Sequence, residues 1–220
     1  MKENKYKIVY ISLIVALGGL LMGFDASVIS GVIKFIESDF NLSKIQLGWA
    51  VSSLTLTSTL AMFIAGPLSD KYGRRLILKY SAILYAISAI YSALSINFTH
   101  LIIARMIGGL GVGSSLIIAP MYIAENSPPK LRGRMVSFNQ LNIVIGISLA
   151  FFSNYFILNL SNNNYFYNSI LNNNSWRIML GVEFIPAILY LIALFFVPKS
   201  IRWLITVSYT HLTLPTRCLV

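Results

Sequence analysis

Three charged residues stand inside stretches that are otherwise apolar or small. Asp25 lies between Ile8 and Val32, Arg105 between Leu101 and Ile123, and Glu183 between Ile178 and Val197. A charge in hydrocarbon costs roughly 2.5 to 3.5 kcal/mol on insertion scales, so each needs a partner, a water-filled cavity or a proton. Asp25 and Arg105 have opposite signs, and pairing lowers the insertion cost of both. A carboxylate that exchanges its arginine for a proton could couple proton entry to movement along a transport pathway. The same two residues also suit a fixed structural ion pair. Glu183 carries two readings as well, proton coupling beside that pair or a hydrogen-bonded carboxyl that only ties its helix to a neighbour. No cluster in the body has nucleophile or metal-ligand spacing, which argues against a membrane enzyme, and His211 and Cys218 near the C-terminus do not make a metal pair.

Two further groups of residues could bind or latch. Asn139, Gln140 and Asn142 open a later apolar run, and an amide facing water offers both a donor and an acceptor to a hydroxyl-rich ligand. GPLSDKYGRR, Gly66 to Arg75, joins glycines that permit a tight turn to Asp70, expected to cap the next helix, and to Arg74 and Arg75, whose planar donors suit carboxylates. Between Pro120 and Arg134, Glu125 and Arg132 are expected to pair across a turn bounded by Pro128 and Pro129. The glycines Gly108, Gly109, Gly111 and Gly113 that follow Arg105 favour close helix contact without a ligand.

The elements that hold these residues are membrane spans. The chain is 56% hydrophobic and 11% charged, with a formal net charge of +10 and a mean hydropathy of +0.73, too apolar for an ordinary globular domain. Its basic residues sit between apolar runs instead of along one polar face, which excludes the nucleic-acid binder that the charge alone suggests. Six runs reach the span length of about 20 residues, at 8–32, 47–68, 76–96, 101–123, 136–158 and 178–197, and with the backbone satisfied internally they must be helices. The first is too long for a cleaved signal and reads as a retained span. Basic residues concentrate at the N-terminus, between runs 2 and 3, between runs 4 and 5, and after run 6, so the positive-inside rule places both termini in the cytoplasm. With about 1.5 Å of rise per residue, Asp25, Arg105 and Glu183 then share one layer in the outer half of the bilayer. Runs 1 and 4 each carry glycines and a buried charge, as two inverted three-helix repeats would.

With these pieces in order, the chain resembles the N-terminal half of a sugar porter of the major facilitator superfamily. The resemblance rests on GGLLMGFDASVISG (Gly18 to Gly31), GPLSDKYGRR, the glycine series after Arg105, PMYIAENSPPKLRG (Pro120 to Gly133), FNQ (Phe138 to Gln140) and WRIMLGVEFIPA (Trp176 to Ala187), which together cover most of residues 8 to 204. It implies an all-α membrane fold of six helices, alternating access, a monosaccharide substrate, and no cofactor beyond the proton as coupling ion. An acid at Asp25 resembles the proton-coupled members, where facilitative members carry an amide, and Arg105 matches its partner. Gln140 matches a glutamine that hydrogen-bonds sugar hydroxyls, and Ile147 lines the same cavity. Asp70, Arg74, Arg75, Glu125 and Arg132 match a cytoplasmic network that holds the outward-open state. A facilitative uniporter and a transporter-like sugar sensor stay open as alternatives.

The chain departs from the family after run 6, where PKSIR places Lys199 and Ile201 at positions that usually hold glutamate and proline. Such porters have about twice this length, so the resemblance implies a further six-helix half as partner, without which residues 1–206 are expected not to transport. Residues 207–220, VSYTHLTLPTRCLV, match no family continuation and read as translated adaptor sequence. The asparagine-rich segment from Asn159 to Ser175 is expected to be a mobile loop, with Asn159 and Asn173 in N-x-S sequons.

Overall fold

The computed structural model describes residues 2–163, 168–200 and 203–205, and the side chains of 9–160, 175–200 and 203–205. Among the described residues there are seven helices of any length and no strand: α1 Lys2–Phe40, α2 Lys44–Tyr72, α3 Arg74–Ala93, α4 Phe98–Asn126, α5 Arg132–Asn163, α6 Asn168–Gly181 and α7 Phe184–Phe195. Six stretches are long and apolar enough to cross a membrane, at Val9–Phe40, Lys44–Tyr72, Arg74–Ala93, Phe98–Asn126, Arg132–Leu160 and Ser175–Phe195. The last of these joins the end of α6 to α7.

The helices run beyond their apolar runs wherever something satisfies the extension. α1 continues past Val32 to Phe40, because the Trp176 indole donates to the Asp39 carboxylate at 2.6 Å and its ring meets Phe40 edge-on. It stops at Asn41, whose φ of 48° turns the chain while the Leu42 N–H returns to the Glu37 carbonyl at 3.2 Å. α2 starts at a capping box, in which Gln46 donates to the Ser43 hydroxyl and accepts from the Ser43 N–H. The expected loop between Asn159 and Ser175 is shorter than its composition suggested, since α5 runs to Asn163 and α6 begins at Asn168. Residues 207–220, with His211 and Cys218, lie outside the described residues, as do Ile201 and Arg202.

The sixth span is broken at Val182 and Glu183. Pro186 has no N–H to give the Val182 carbonyl, so that oxygen accepts from Ile185 at 3.1 Å in a tighter turn. Helix α7 then restarts with Ala187 donating to Glu183 at 3.1 Å.

Packing pairs α1 with α5 and α2 with α4, with α3 against α4. Lipid removes the hydrophobic drive for helix association, so close van der Waals contact must replace it. At the α1–α5 crossing the fit is reciprocal: a Cβ on Gly23 would strike the Ile143 carbonyl, and one on Gly146 would strike the Leu20 carbonyl. Two apolar clusters fill the interior. One gathers Ile14, Leu78, Tyr122 and Leu194, the other Val28, Ile36, Leu101 and Trp176; along the chain Arg105 and Glu183 fall between them, and Asp25 lies at the edge of the second, between Phe24 and Val28.

Candidate functional site

Arg105, about two turns into α4, and Asp25, in the middle of α1, are 2% and 1% exposed and form an ion pair through Nη1 and Oδ1. The second guanidinium nitrogen donates to the Asp25 main-chain oxygen at 3.1 Å, so one arginine holds both the side chain and the backbone of α1. Gly108 makes room for this contact. A Cβ there would lie 3.1 Å from Asp25 Oδ2 and 2.6 Å from the hydroxyl of Ser88, which itself donates to the Ala104 carbonyl at 2.9 Å. Glu183, 2% exposed, faces the Asp25 carboxyl from the break in the sixth span. Among the described residues, Asp25 Oδ2 and Glu183 Oε1 have no hydrogen-bond partner. Two carboxyls and one guanidinium thus meet out of contact with solvent, and one proton on the carboxyls would make the group neutral.

Gln140 and Ile147 lie seven residues apart on α5, two turns along one side of the helix. Gln140 is exposed, in line with Val144, Ser148 and Phe151, and Ile147 is half-buried beside Gly23. The neighbouring amides do other work. Asn139 is buried against Gly19, and Asn142 donates to the Phe138 carbonyl of its own helix at 2.8 Å. None of the three opens the helix, because α5 already starts at Arg132.

At the basic end the structure rearranges the expected partners. Gly66 sits inside α2 with open space around it, and α2 runs on through Pro67 to Tyr72, so Asp70 belongs to its last turn and does not cap α3. The true hinge is Gly73, with φ 92°, where the α3 N-terminus has no side-chain cap. Arg74 bridges the 70%-exposed Asp70 at 2.8 Å and the nearly buried Glu125 at 3.0 Å, and donates to the Ser69 carbonyl at 3.1 Å. Glu125 accepts a further bond from the Ser200 hydroxyl at 2.6 Å. Its expected partner, Arg132, is exposed on the first turn of α5 and makes no ion pair among the described residues. Arg74, at the start of α3, takes the place that the spacing gave to Arg132. Arg75 has no carboxylate partner among the described residues. It donates to the Leu194 and Phe195 carbonyls at 3.3 and 2.7 Å, satisfying the free C-terminal end of α7.

Sequence reasoning missed Ser200 and Trp203. The Trp203 indole donates to the Asp70 carbonyl at 2.8 Å and its ring covers Gly73. Both follow Lys199 in the divergent segment, where a small hydroxyl and an aromatic ring gave no periodic signal.

The family model described as "Sugar (and other) transporter" matches residues 11–212. The glucose transporter GlcP of Staphylococcus epidermidis is 40% identical over 205 residues, 93% of this chain and 42% of that protein. The arabinose-proton symporter of Bacillus subtilis is 39% identical over 204 residues, 93% of this chain and 43% of that one. A solved structure of the proton:xylose symporter XylE, with 6-bromo-6-deoxy-D-glucose bound, superposes with a TM-score of 0.86 at 36% identity, over 94% of this chain and 48% of that chain. The chain therefore spans less than half the length of each of these relatives.

Proposed function

The chain belongs to the sugar transporter family of the major facilitator superfamily, and on that premise we propose that it forms one six-helix half of a proton-coupled monosaccharide symporter. The carrying observation is the buried Asp25–Arg105 pair with Glu183 beside it. A proton reaching Asp25 neutralises the carboxylate, weakens its hold on Arg105 and so loosens α1 from α4. Glu183 stands where it can take or return that proton, at the point where Pro186 has already broken the helix. The names of the relatives, which include glucose, arabinose and xylose carriers, support a sugar as the co-substrate.

The exposed amide of Gln140 binds sugar hydroxyls in this reading, with Ile147 forming an apolar wall two turns along. A complementary six-helix half closes the other side, since substrate sites in such folds lie between the repeats near the midplane. The basic end faces the cytoplasm. There Arg74, Glu125 and Asp70 act as a latch between α2, α3 and α4, Arg75 joins α3 to α7, and Arg132 supplies surface charge. The test is uptake of radiolabelled monosaccharide into energised vesicles containing the complete transporter. Asp25→Asn should abolish accumulation against a gradient while sparing sugar exchange, and unchanged accumulation would overturn the coupling assignment.

A further inference from the structure

At the basic end a cavity of about 230 Å³ opens between the start of α3 and the segment that follows α7. Arg75, Lys79 and Lys199 line it with Gly73, Ser200 and Trp203, and no carboxylate does. Arg74 also reaches it, but that charge is balanced by Glu125 and Asp70. The other three cations have no acidic partner among the described residues. Arg75 gives Nε and Nη2 to main-chain carbonyls, which leaves Nη1, Lys79 lies over the Phe195 ring at 3.6 Å from its centroid, and Lys199 lies 6.0 Å from the Trp203 ring.

The same cavity receives the N-terminus of α3, a 20-residue helix whose N-cap, Gly73, offers no side chain to its first N–H groups. A helix start carries partial positive charge and unsatisfied donors, and an anion is its natural complement. Three cations that repel one another therefore converge on a fourth source of positive potential. We propose that this cavity is a binding site for a phosphate-bearing anion, held by Arg75, Lys79, Lys199 and the first turn of α3. The exposed Lys199 leaves the cavity open to solvent on its side, while the exposed Phe195 and Phe196 keep it at the edge of the apolar belt. Either a lipid headgroup or free phosphate has the required chemistry.

Two arms separate these sources. In the first, the purified protein in maltoside micelles is titrated with inorganic phosphate, read by phosphorus NMR line broadening and Trp203 emission. In the second, the protein in phosphate-free buffer is moved from phosphatidylcholine nanodiscs to nanodiscs that also contain phosphatidic acid, with the same emission readout. A saturable response in the first arm assigns free phosphate, and a response in the second alone assigns the lipid headgroup. Lys199→Gln, at an exposed position, should weaken the response on the order of tenfold, and adding Lys79→Gln should remove it. Circular dichroism checks that both variants stay folded. The proposal is overturned if neither arm gives a saturable response, or if the folded double variant responds as the parent does.

Discussion

Asp25→Asn keeps the shape of the side chain and removes one charge, so it isolates the worth of the ion pair within the bundle. Arg105 is 2% exposed, and no water can take over the lost partner. Opposite unit charges about 4 Å apart attract by about 4 kcal/mol at an effective dielectric near 20. The substituted amide oxygen can still accept from the guanidinium, which returns about 1 kcal/mol. The bond from Arg105 to the Asp25 main-chain oxygen at 3.1 Å is untouched. The expected cost is therefore about 3 kcal/mol, at the lower end of the range for uncovering one member of a buried pair. Arg105→Met should cost as much or more, because it also gives up the backbone bond. With a proton on the buried Glu183, the double variant buries no unpaired charge and should recover about 3 kcal/mol of the summed losses. Reversible unfolding by dodecyl sulfate in mixed micelles, followed by helix content, measures all four corners of the cycle. Additivity within about 0.5 kcal/mol would refute the argument, since it would mean that the two charges do not sense each other.

Two further perturbations test the packing and the basic end. Gly146→Val drives a side chain onto the Leu20 carbonyl and should cost about 1–3 kcal/mol or more, whereas Gly66→Ala meets nothing within 4 Å and should stabilise by up to about 1 kcal/mol in the same unfolding assay. Glu125→Gln removes the nearly buried partner of Arg74 and should raise amide hydrogen exchange around Asn126–Leu131 on the order of tenfold, while Arg132→Gln should leave it unchanged. Equal effects of those two variants would restore the Glu125–Arg132 pair that the spacing suggested.

The six spans were legible because an apolar run of span length has few alternatives, and the charged layer because a charge within such a run is costly enough to stand out. Helix ends were harder to read. The apolar pattern stops at Val32, but α1 does not, since Asp39 and Phe40 are held by Trp176, more than a hundred residues away. Gly66 looked like a turn residue, yet α2 passes through it and through Pro67. The choice of Arg74 over Arg132 as the partner of Glu125 depends on which helix ends come together, and spacing along the chain does not encode that. Pro186 was visible throughout. Its effect, a break that places Glu183 opposite Asp25, required knowing that α1 and the sixth span approach at that depth.

The two kinds of contact on α1 divide its behaviour. Toward α5 it is held by backbone against backbone, at Gly23 with Ile143 and at Gly146 with Leu20, where no titratable group takes part. Toward α4 it is held by Arg105, through one bond to a carboxylate and one to a main-chain oxygen. A proton delivered to Asp25 would weaken the second attachment and leave the first unchanged. Motion released in this way would carry α1 and α5 together, as a unit, away from α4. Gln140 projects from α5 and would move with that unit, so protonation at Asp25 and the placement of the amide would be linked mechanically without any contact between them. The close Gly23–Gly146 crossing would have to keep the two helices together in that motion. Loosening it should uncouple the two ends even with Asp25 and Arg105 intact.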